Sequence, residues 1–199
     1  MKITDIKGRA IPIYGNDIDT DRIIPARFLK EITFSNMGNY LFYDERFDEA
    51  GNKKGHNIDN QIFRGARILV VNKNFGCGSS REHAAHAIKK CGIDIVVGES
   101  FSTIFHSNCL ALGIPIVEIS SEVAKDIAQF IEKEPQTEIK VSITEKRIYY
   151  GKKIEEFKIS EHAWKALTNG TWNSTRMLLE NMNLVNTLAA NLPYIQGFL

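Results

Sequence analysis

Between residues 67 and 119, apolar runs alternate with amphipathic stretches. The runs 67–72, 93–97 and 114–119 are short and rich in β-branched residues, a pattern typical of buried strands. Between them, apolar positions at helical spacing predict a helix from Ser80 to about Cys91 and another over 101–112. A strand–helix–strand–helix–strand order implies a parallel sheet with right-handed crossovers.

The helical spacing also predicts which side chains face the core. In the first helix these are Ala84, Ala87, Ile88 and Cys91, and Gly92 is the expected stop. In the second helix they are Phe101, Ile104, Phe105, Ala111 and Leu112.

The flanking segments predict a second, antiparallel sheet. Three short alternating stretches, 138–143, 146–150 and 154–159, are separated by polar turns, as in a meander. Further predicted elements are a strand over 10–14 and helices over 120–134, 161–167 and 174–192. The fold class is therefore α/β, with a central parallel sheet, a smaller antiparallel sheet and flanking helices. The polar segment 44–61 lacks periodicity, and we interpret it as a lid or partner contact rather than as disorder.

Composition narrows the functional classes. The chain has 199 residues, 43% apolar and 25% charged, which suits one domain or one domain with a small appendage. A net charge of +1 without a basic stripe argues against nucleic-acid binding. No apolar run approaches the roughly 20 residues that span a bilayer, and the first residues do not resemble a signal peptide. We therefore expect a cytoplasmic protein that does not enter a membrane.

The three cysteines are an odd count without CxxC spacing, which predicts free thiols. Cys91 and Cys109 fall on predicted apolar helix faces, so we expect them to pack in the core rather than to hold an iron–sulfur cluster.

The segment 76–83 (GCGSSREH) carries the strongest chemical signal. Its glycines allow the backbone to approach a ligand closely, and the helix that follows offers unpaired N–H groups to an anion. Arg81 adds a guanidinium suited to a carboxylate, and a serine in that positive setting can act as a base or nucleophile. Alternatively, Ser79 or Ser80 is only a helix cap and Arg81 only a surface residue. The residues alone leave both interpretations open.

The segment 17–25 (DIDTDRIIP) carries a second signal. Its alternate acidic residues resemble the start of an EF-hand, but Arg22 stands where that loop needs glycine and Phe28 where it needs glutamate. The residues alone favour turn-forming aspartates. The functional alternative makes Asp21 a carboxylate that orients a basic group.

Two other local patterns have simpler interpretations. His83 and His86 share a helix face, but no third or fourth metal ligand lies nearby, so we expect His83 to be a packing or supporting residue. Asn173 opens a glycosylation-like triplet, and we interpret it as the polar cap of the last helix.

Together, the segments 74–84 (NFGCGSSREHA) and 19–29 (DTDRIIPARFL) resemble, in order and spacing, the mobile swivel domain of the aconitase superfamily. The resemblance extends over 101–115 and 164–172, and it is strongest to the small subunits of the isopropylmalate dehydratase family. It implies one swivelling β/β/α domain over 1–199, with 160–199 as a C-terminal helical extension. It also implies a [4Fe–4S] cluster held by a separate large subunit, no cofactor or metal ligands in this chain, and inactivity of this chain alone.

The resemblance further implies reversible dehydration of a small dicarboxylate hydroxy acid. In this family 2-isopropylmalate and 3-isopropylmalate interconvert through 2-isopropylmaleate in leucine biosynthesis. The roles implied by matching positions are Ser79 as catalytic base, Asp21 as orienting acid, Ser80 and Arg81 as carboxylate-binding residues, and Arg27, Phe28 and Leu29 as readers of the substrate side chain.

Two segments depart from the family pattern, namely 84–86 (AAH) and 171–175 (TWNST). Neither touches the expected site, so they bear on fine classification rather than on chemistry. The remaining alternatives are a small subunit acting on homoaconitate, citraconate or methylmalate, and a non-catalytic anion-binding domain.

Overall fold

Two four-stranded sheets form the framework of the protein, which a computed structural model describes over residues 1–195. The parallel sheet has the order β2 (Ala10–Ile13), β3 (Ile68–Val71), β4 (Ile95–Gly98) and β5 (Ile116–Glu118). The antiparallel sheet has the order β1 (Asp5–Gly8), β6 (Ile139–Ser142), β7 (Arg147–Tyr150) and β8 (Lys153–Glu156). Every residue of β2, β3 and β4 is buried, as expected for a parallel sheet covered on both faces.

Eight α-helices accompany the sheets in the described part of the chain: α1 (Thr20–Ile23), α2 (Tyr43–Arg46), α3 (Glu82–Lys90), α4 (Thr103–Ala111), α5 (Ser121–Lys133), α6 (Glu161–Asn169), α7 (Ser174–Glu180) and α8 (Met182–Ala190). Single 3-10 turns cover Ala26–Lys30, Met37–Tyr40, Asn57–Asp59 and Gln61–Phe63. Helix α5 packs on β2 and β3, and α3 packs against α4. The predicted fold class is confirmed, and β1 adds an outer strand to the predicted meander.

The predicted inner face of the second crossover helix is wrong at two positions. Ile104 is 50% exposed and Ala111 is also exposed. The Ser102 hydroxyl caps α4 by accepting from the Phe105 N–H, so the helix begins two residues later than predicted. Phe105 and Cys109, one turn apart, are its buried residues.

The predicted single helix over 174–192 is two helices that meet at Asn181. The Asn181 side chain donates to the Met177 carbonyl at 2.8 Å, and this bond stabilises the break. The predicted extension over 160–199 thus contains α6, α7 and α8, while its last residues, 196–199, lie outside the described residues.

The polar segment 44–61 contains most of α2 and the 3-10 turn Asn57–Asp59, and this turn contacts strand β2. Asn57 donates through Nδ2 to the Pro12 carbonyl at 2.7 Å, and Arg46 pairs with Asp59 at 2.9 Å. His56 is largely covered, and this burial lowers its pKa. The segment's role as a lid or partner contact stays a prediction.

Within residues 1–195, no helix combines the length and the apolar character needed to cross a membrane.

Candidate active site

The loop that follows β3 makes a close turn toward α4. Its residues Asn74, Gly76 and Gly78 have φ of 57°, 73° and 88°, in the left-handed region that glycine adopts without strain. A Cβ on Gly76 would lie 2.3 Å from the Phe105 ring carbon Cγ, so only glycine lets the backbone pass this ring.

Four contacts join this loop to the segment that carries the second motif. The Gly76 N–H donates to the Ile18 carbonyl at 2.7 Å, and the Thr20 N–H donates to the Cys77 carbonyl at 2.9 Å. Asp19 and Cys77 form a parallel β-bridge. The hydroxyl of Thr20, a residue only 2% exposed, donates to the Ser79 carbonyl at 2.9 Å. The two motifs therefore lie side by side, as one surface.

The connection between β4 and α4 supports the loop from the other side. The Ser102 hydroxyl donates to the Gly76 carbonyl at 2.5 Å, while the Asn74 N–H donates to the Ser100 hydroxyl at 2.9 Å. Asn74 also donates through Nδ2 to Asp17 at 2.7 Å. These contacts leave few backbone polar groups at the base of the loop free to rearrange.

At the rim of the loop, Arg81 forms an ion pair with Asp21 through a short contact between Nη1 and Oδ1. The Arg81 side chain is 15% exposed, whereas that of Asp21 is 55% exposed. Ser79 and Ser80 are both exposed, and neither hydroxyl bonds to another residue within the described chain. The Arg81 guanidinium, fixed by its ion pair with Asp21, therefore lies near two exposed serine hydroxyls in the chain.

The predicted helix start at Ser80 is wrong, because α3 begins at Glu82. Arg81 occupies the N-cap position in an extended conformation, with φ −127° and ψ 107°, and no described side chain caps the helix. The alternative in which Ser79 or Ser80 is the helix cap is therefore wrong. The first N–H groups of α3 and the positive end of its dipole have no side-chain cap at this end of the loop.

The three acidic residues of the second motif have different partners. Asp19 caps α1 by accepting from the Arg22 N–H at 2.8 Å, as a turn-forming aspartate does. Asp17 contacts Asn74, and Asp21 contacts Arg81. The turn-forming interpretation is correct for Asp19, and Asp21 is the acidic residue that meets a basic group.

Cys77 lies within the loop but is a poor candidate nucleophile. Its partial burial, together with the nearby Asp19 and Asp17 carboxylates, raises the pKa of its thiol. The thiol is therefore protonated at neutral pH, and a thiol is far less nucleophilic than a thiolate.

The proposed side-chain readers lie on the 3-10 turn Ala26–Lys30, directly after α1. Arg27 forms an ion pair with Asp44, and its guanidinium carbon lies 4.7 Å from the centre of the Phe28 ring. Phe28 stacks on Tyr40 with ring centres 4.1 Å apart, and Leu29 is half-buried. Across residues 1–195, no hydrogen bond or ion pair joins residues 27–29 to residues 79–81.

The histidines of α3 make packing contacts, as predicted for His83. Phe34 meets the His83 ring edge-on at 5.1 Å and stacks on the His86 ring at 3.7 Å. His86 also contacts the Glu82 carboxylate at 3.1 Å. Among the described residues, no three or more His, Cys, Asp or Glu side chains stand together in a way that could hold a metal ion.

A cleft of about 780 Å³ lies between α4 and α6, beside the edge strand β5. Its lining includes His106, Glu118 and Trp172, and it contains none of the predicted site residues. We therefore place the candidate active site at the open rim of the 76–81 loop, where the functional groups meet, rather than in this cleft.

Sequence reasoning missed Thr20, Ser100 and Ser102, whose hydroxyls all bond to the loop. Ser102 stands three residues before Phe105, a spacing that indicates a helix cap. The signal for Thr20 was weaker, because a threonine between two aspartates also suits an exposed turn.

The parallel sheet, the antiparallel sheet and this loop define an aconitase-type swivel domain. In agreement, the family model described as the aconitase C-terminal domain matches residues 1–122. The crystal structure of 3-isopropylmalate dehydratase from Methanocaldococcus jannaschii superposes with a TM-score of 0.65 at 25% identity, covering 90% of this chain and 99% of that one.

Curated relatives narrow the assignment further. The 3-isopropylmalate dehydratase small subunit of a Thermus thermophilus strain is 45% identical over 193 residues, which cover 97% of this chain and 96% of the relative. The protein of the same name from Synechocystis is 41% identical over 194 residues, with 98% and 96% coverage. The chain belongs to the family of 3-isopropylmalate dehydratase small subunits.

Proposed function

We propose that this chain acts in the cytoplasm as the small subunit of a 3-isopropylmalate dehydratase. In this proposal it interconverts 2-isopropylmalate and 3-isopropylmalate through 2-isopropylmaleate, in leucine biosynthesis, and is active only with a large subunit. One swivel domain spans 1–199, with 160–199 as its helical extension. The observation that carries the proposal is the contact of Arg81 with Asp21 beside the exposed Ser79 and Ser80 hydroxyls.

Arg81 is suited to hold a substrate carboxylate. Its guanidinium is planar and always charged, so it can donate two parallel hydrogen bonds to one carboxylate. The ion pair with Asp21 fixes the side chain before the substrate arrives, and the low exposure of Arg81 limits competition from water. Ser80 and the uncapped N–H groups of α3 supply further donors.

Ser79 is the proposed catalytic base. In its alkoxide form it takes the proton from the carbon next to a carboxylate, and the electron pair left on that carbon spreads into the carboxylate. Arg81 and the helix N–H groups stabilise the second negative charge that this carboxylate acquires. The hydroxyl on the neighbouring carbon then leaves as hydroxide while the double bond forms, and this hydroxide with the proton taken by Ser79 accounts for the one water removed. Rehydration with the positions exchanged completes the isomerisation: a proton returns to the carbon that lost the hydroxyl, and a hydroxyl adds to the carbon that lost the proton.

The residues of this chain do not fit a cluster site. The described residues hold no metal-ligand group, Cys109 is fully buried in α4, and burial raises the pKa of the Cys91 thiol, so that it stays protonated. We therefore propose that the [4Fe–4S] cluster is held by the large subunit. When bound there, the cluster supplies a Lewis acid for the leaving hydroxyl.

Arg27, Phe28 and Leu29 are the proposed readers of the substrate side chain. The ring of Phe28, stacked on Tyr40, is a rigid apolar surface of the kind that suits an isopropyl group. The pair of Arg27 with Asp44 engages the guanidinium, so it does not place an unpaired charge beside that surface.

The proposal is tested by an anaerobic assay of 2-isopropylmalate dehydration, in which the absorbance of the unsaturated product is monitored. The chain is assayed alone and then with its cluster-bearing large subunit, and we expect turnover only in the mixture. Ser79→Ala is expected to abolish turnover while the subunits still associate. Ser80→Ala, the matched control, is expected to raise KM and to leave a measurable kcat.

A large subunit that binds the chain, carries an intact cluster and still gives no turnover would overturn the isopropylmalate assignment. Homoaconitate, citraconate and methylmalate would then be the next substrates to assay. Loss of subunit association in Ser79→Ala would instead indicate a structural role for that serine.

A further inference from the structure

The last two helices of the described chain, α7 and α8, bury none of their residues. We name residues 174–195 the C-terminal arm. Its exposed large apolar side chains are Met177, Leu178, Leu179, Met182, Leu184, Leu188, Tyr194 and Ile195, with 40–69% of each residue exposed.

Five polar side chains of the arm bond within the arm itself. Arg176 pairs with Glu180, one turn later, at 2.7 Å. The side chains of Asn181, Thr187 and Asn191 each donate to the carbonyl four residues earlier, at 2.8, 2.8 and 3.0 Å. After Arg176, Glu180 is the only charged side chain in the sequence. The exposed surface of the arm is therefore rich in apolar side chains and nearly uncharged.

Such a face needs a covering surface. The two helices have seven and nine residues, and isolated helices below about 12–15 residues are marginal in water. Because none of their residues is buried within the described chain, their stability has to come from packing against another surface. Exposed apolar side chains gathered in one segment, as here, are typical of an interaction site.

The base of the arm is fixed to the domain. The Trp172 indole N–H donates to the Met1 carbonyl at 2.9 Å, and the ring packs on Gly113 so closely that a Cβ there would lie 2.7 Å from it. Asn173 then caps α7 by accepting from the Arg176 N–H at 2.8 Å. The arm thus leaves the domain at a defined point, next to Met1.

We propose that the C-terminal arm docks its apolar face, centred on Leu184 and Leu188, into an apolar and uncharged groove of the large subunit. This inference rests on the proposed function, which supplies the partner. Depletion of charge is typical of the core of interfaces between permanently associated chains. The family model of the aconitase C-terminal domain ends at residue 122, whereas relatives named as small subunits align with 97–98% of this chain. Most of the arm therefore lies within the aligned length of chains named as small subunits, and outside the part that the family model matches.

The test is the affinity of the full-length chain for its large subunit, measured anaerobically. Leu184→Asp combined with Leu188→Asp places two charges on the apolar face, and we expect binding about a hundredfold weaker or more. The matched control, Asn183→Asp combined with Asn186→Asp, adds the same charge on the opposite face of α8, and its affinity is expected to stay within about threefold of the wild type. Neither pair is expected to change Tm, because all four residues are exposed.

Each contrary result overturns the inference. Wild-type affinity of the leucine variant would show that the arm does not bind the large subunit. A marked loss of Tm in that variant would show that the arm packs on its own domain. Sedimentation could also show that the wild-type chain is a dimer and that the leucine substitutions dissociate it without weakening large-subunit binding. That result would assign the face to a second copy of this chain.

Turnover of 2-isopropylmalate by the wild-type pair is measured in the same preparations. Turnover together with unchanged binding by the leucine variant would refute the docking of the arm and leave the proposed function standing. A wild-type pair that associates through the arm without turnover would refute the proposed substrate and leave the docking standing.

Discussion

Thr20 offers the sharpest test of how the loop is held. Its hydroxyl donates to the Ser79 carbonyl at 2.9 Å from a position only 2% exposed. Thr20→Val keeps the shape of the side chain and removes the donor. The lost hydrogen bond costs about 1 kcal/mol of unfolding free energy, which for a chain of this size lowers Tm by about 2–4 °C.

The effect on catalysis is expected to exceed the effect on stability. Releasing the Ser79 carbonyl lets the proposed base shift relative to the substrate carbon, and a displacement of about 1 Å can cost about a hundredfold in rate. We therefore expect kcat of the reconstituted enzyme to fall by about 10- to 100-fold with KM nearly unchanged. Steady-state dehydration kinetics and a thermal melt measure both quantities.

Thr20→Ser is the matched control, because it retains the hydroxyl and loses only a methyl group. We expect it to recover most of kcat. A Thr20→Val enzyme with wild-type kcat would refute the idea that this hydrogen bond positions Ser79. A Thr20→Ser enzyme as slow as Thr20→Val would assign the effect to packing of the methyl group instead.

Three further results are expected. Arg81→Lys should raise KM by about tenfold without weakening subunit association, since an ammonium cannot form the planar two-point contact with a carboxylate. Gly76→Ala should destabilise the fold by about 3 kcal/mol in a denaturant titration, because the new Cβ would overlap Phe105 and φ would be strained. His56→Asn should weaken the dependence of Tm on pH: burial lowers the folded pKa of His56 below 6.5, so wild-type stability falls as pH drops below 6.5, where only the unfolded state binds the proton.

Matched controls separate these effects from general damage. Gly51→Ala has a similar φ of 82° but no neighbour within 4 Å, so it should cost only the strain of about 1 kcal/mol; an equal loss in Gly51→Ala and Gly76→Ala would contradict the steric argument. A pH profile of His56→Asn that parallels the wild type would show that another group titrates. An unchanged KM in Arg81→Lys would mean that a simple positive charge suffices.

The order of the core elements was predictable, because short β-branched runs and helical spacing are local signals. The burial of individual side chains within those elements was harder to predict. Ile104 was expected inside, but the buried face of α4 is formed by Phe105 and Cys109, and Ile104 is 50% exposed. The N-terminal end of the helix also differed by two residues, since helix ends are set by local caps and tertiary contacts.

The proposed site residues were assigned by resemblance, whereas their mutual contacts were not visible in the sequence. The pairing of Asp21 with Arg81 joins positions sixty residues apart, and periodicity does not report such a contact. Helix α3 was expected to begin at Ser80, yet Arg81 stands outside the helix, in an extended conformation, and pairs with Asp21. The arm was visible as a helical segment, but the exposure of its apolar side chains, as seen over residues 1–195, appeared only in three dimensions.

The hydrogen bonds between the loop and the segment around Thr20 also bear on how these two segments unfold locally. The Gly76 N–H donates to the Ile18 carbonyl, and the Thr20 N–H donates in the opposite direction, to the Cys77 carbonyl. Because the two segments cannot separate without breaking both bonds, the two amides belong to one cooperative unit of local unfolding. The hydrogen-exchange rates of these two amides should therefore respond in parallel to temperature, denaturant and substrate. The two segments are expected to open together rather than as independent loops.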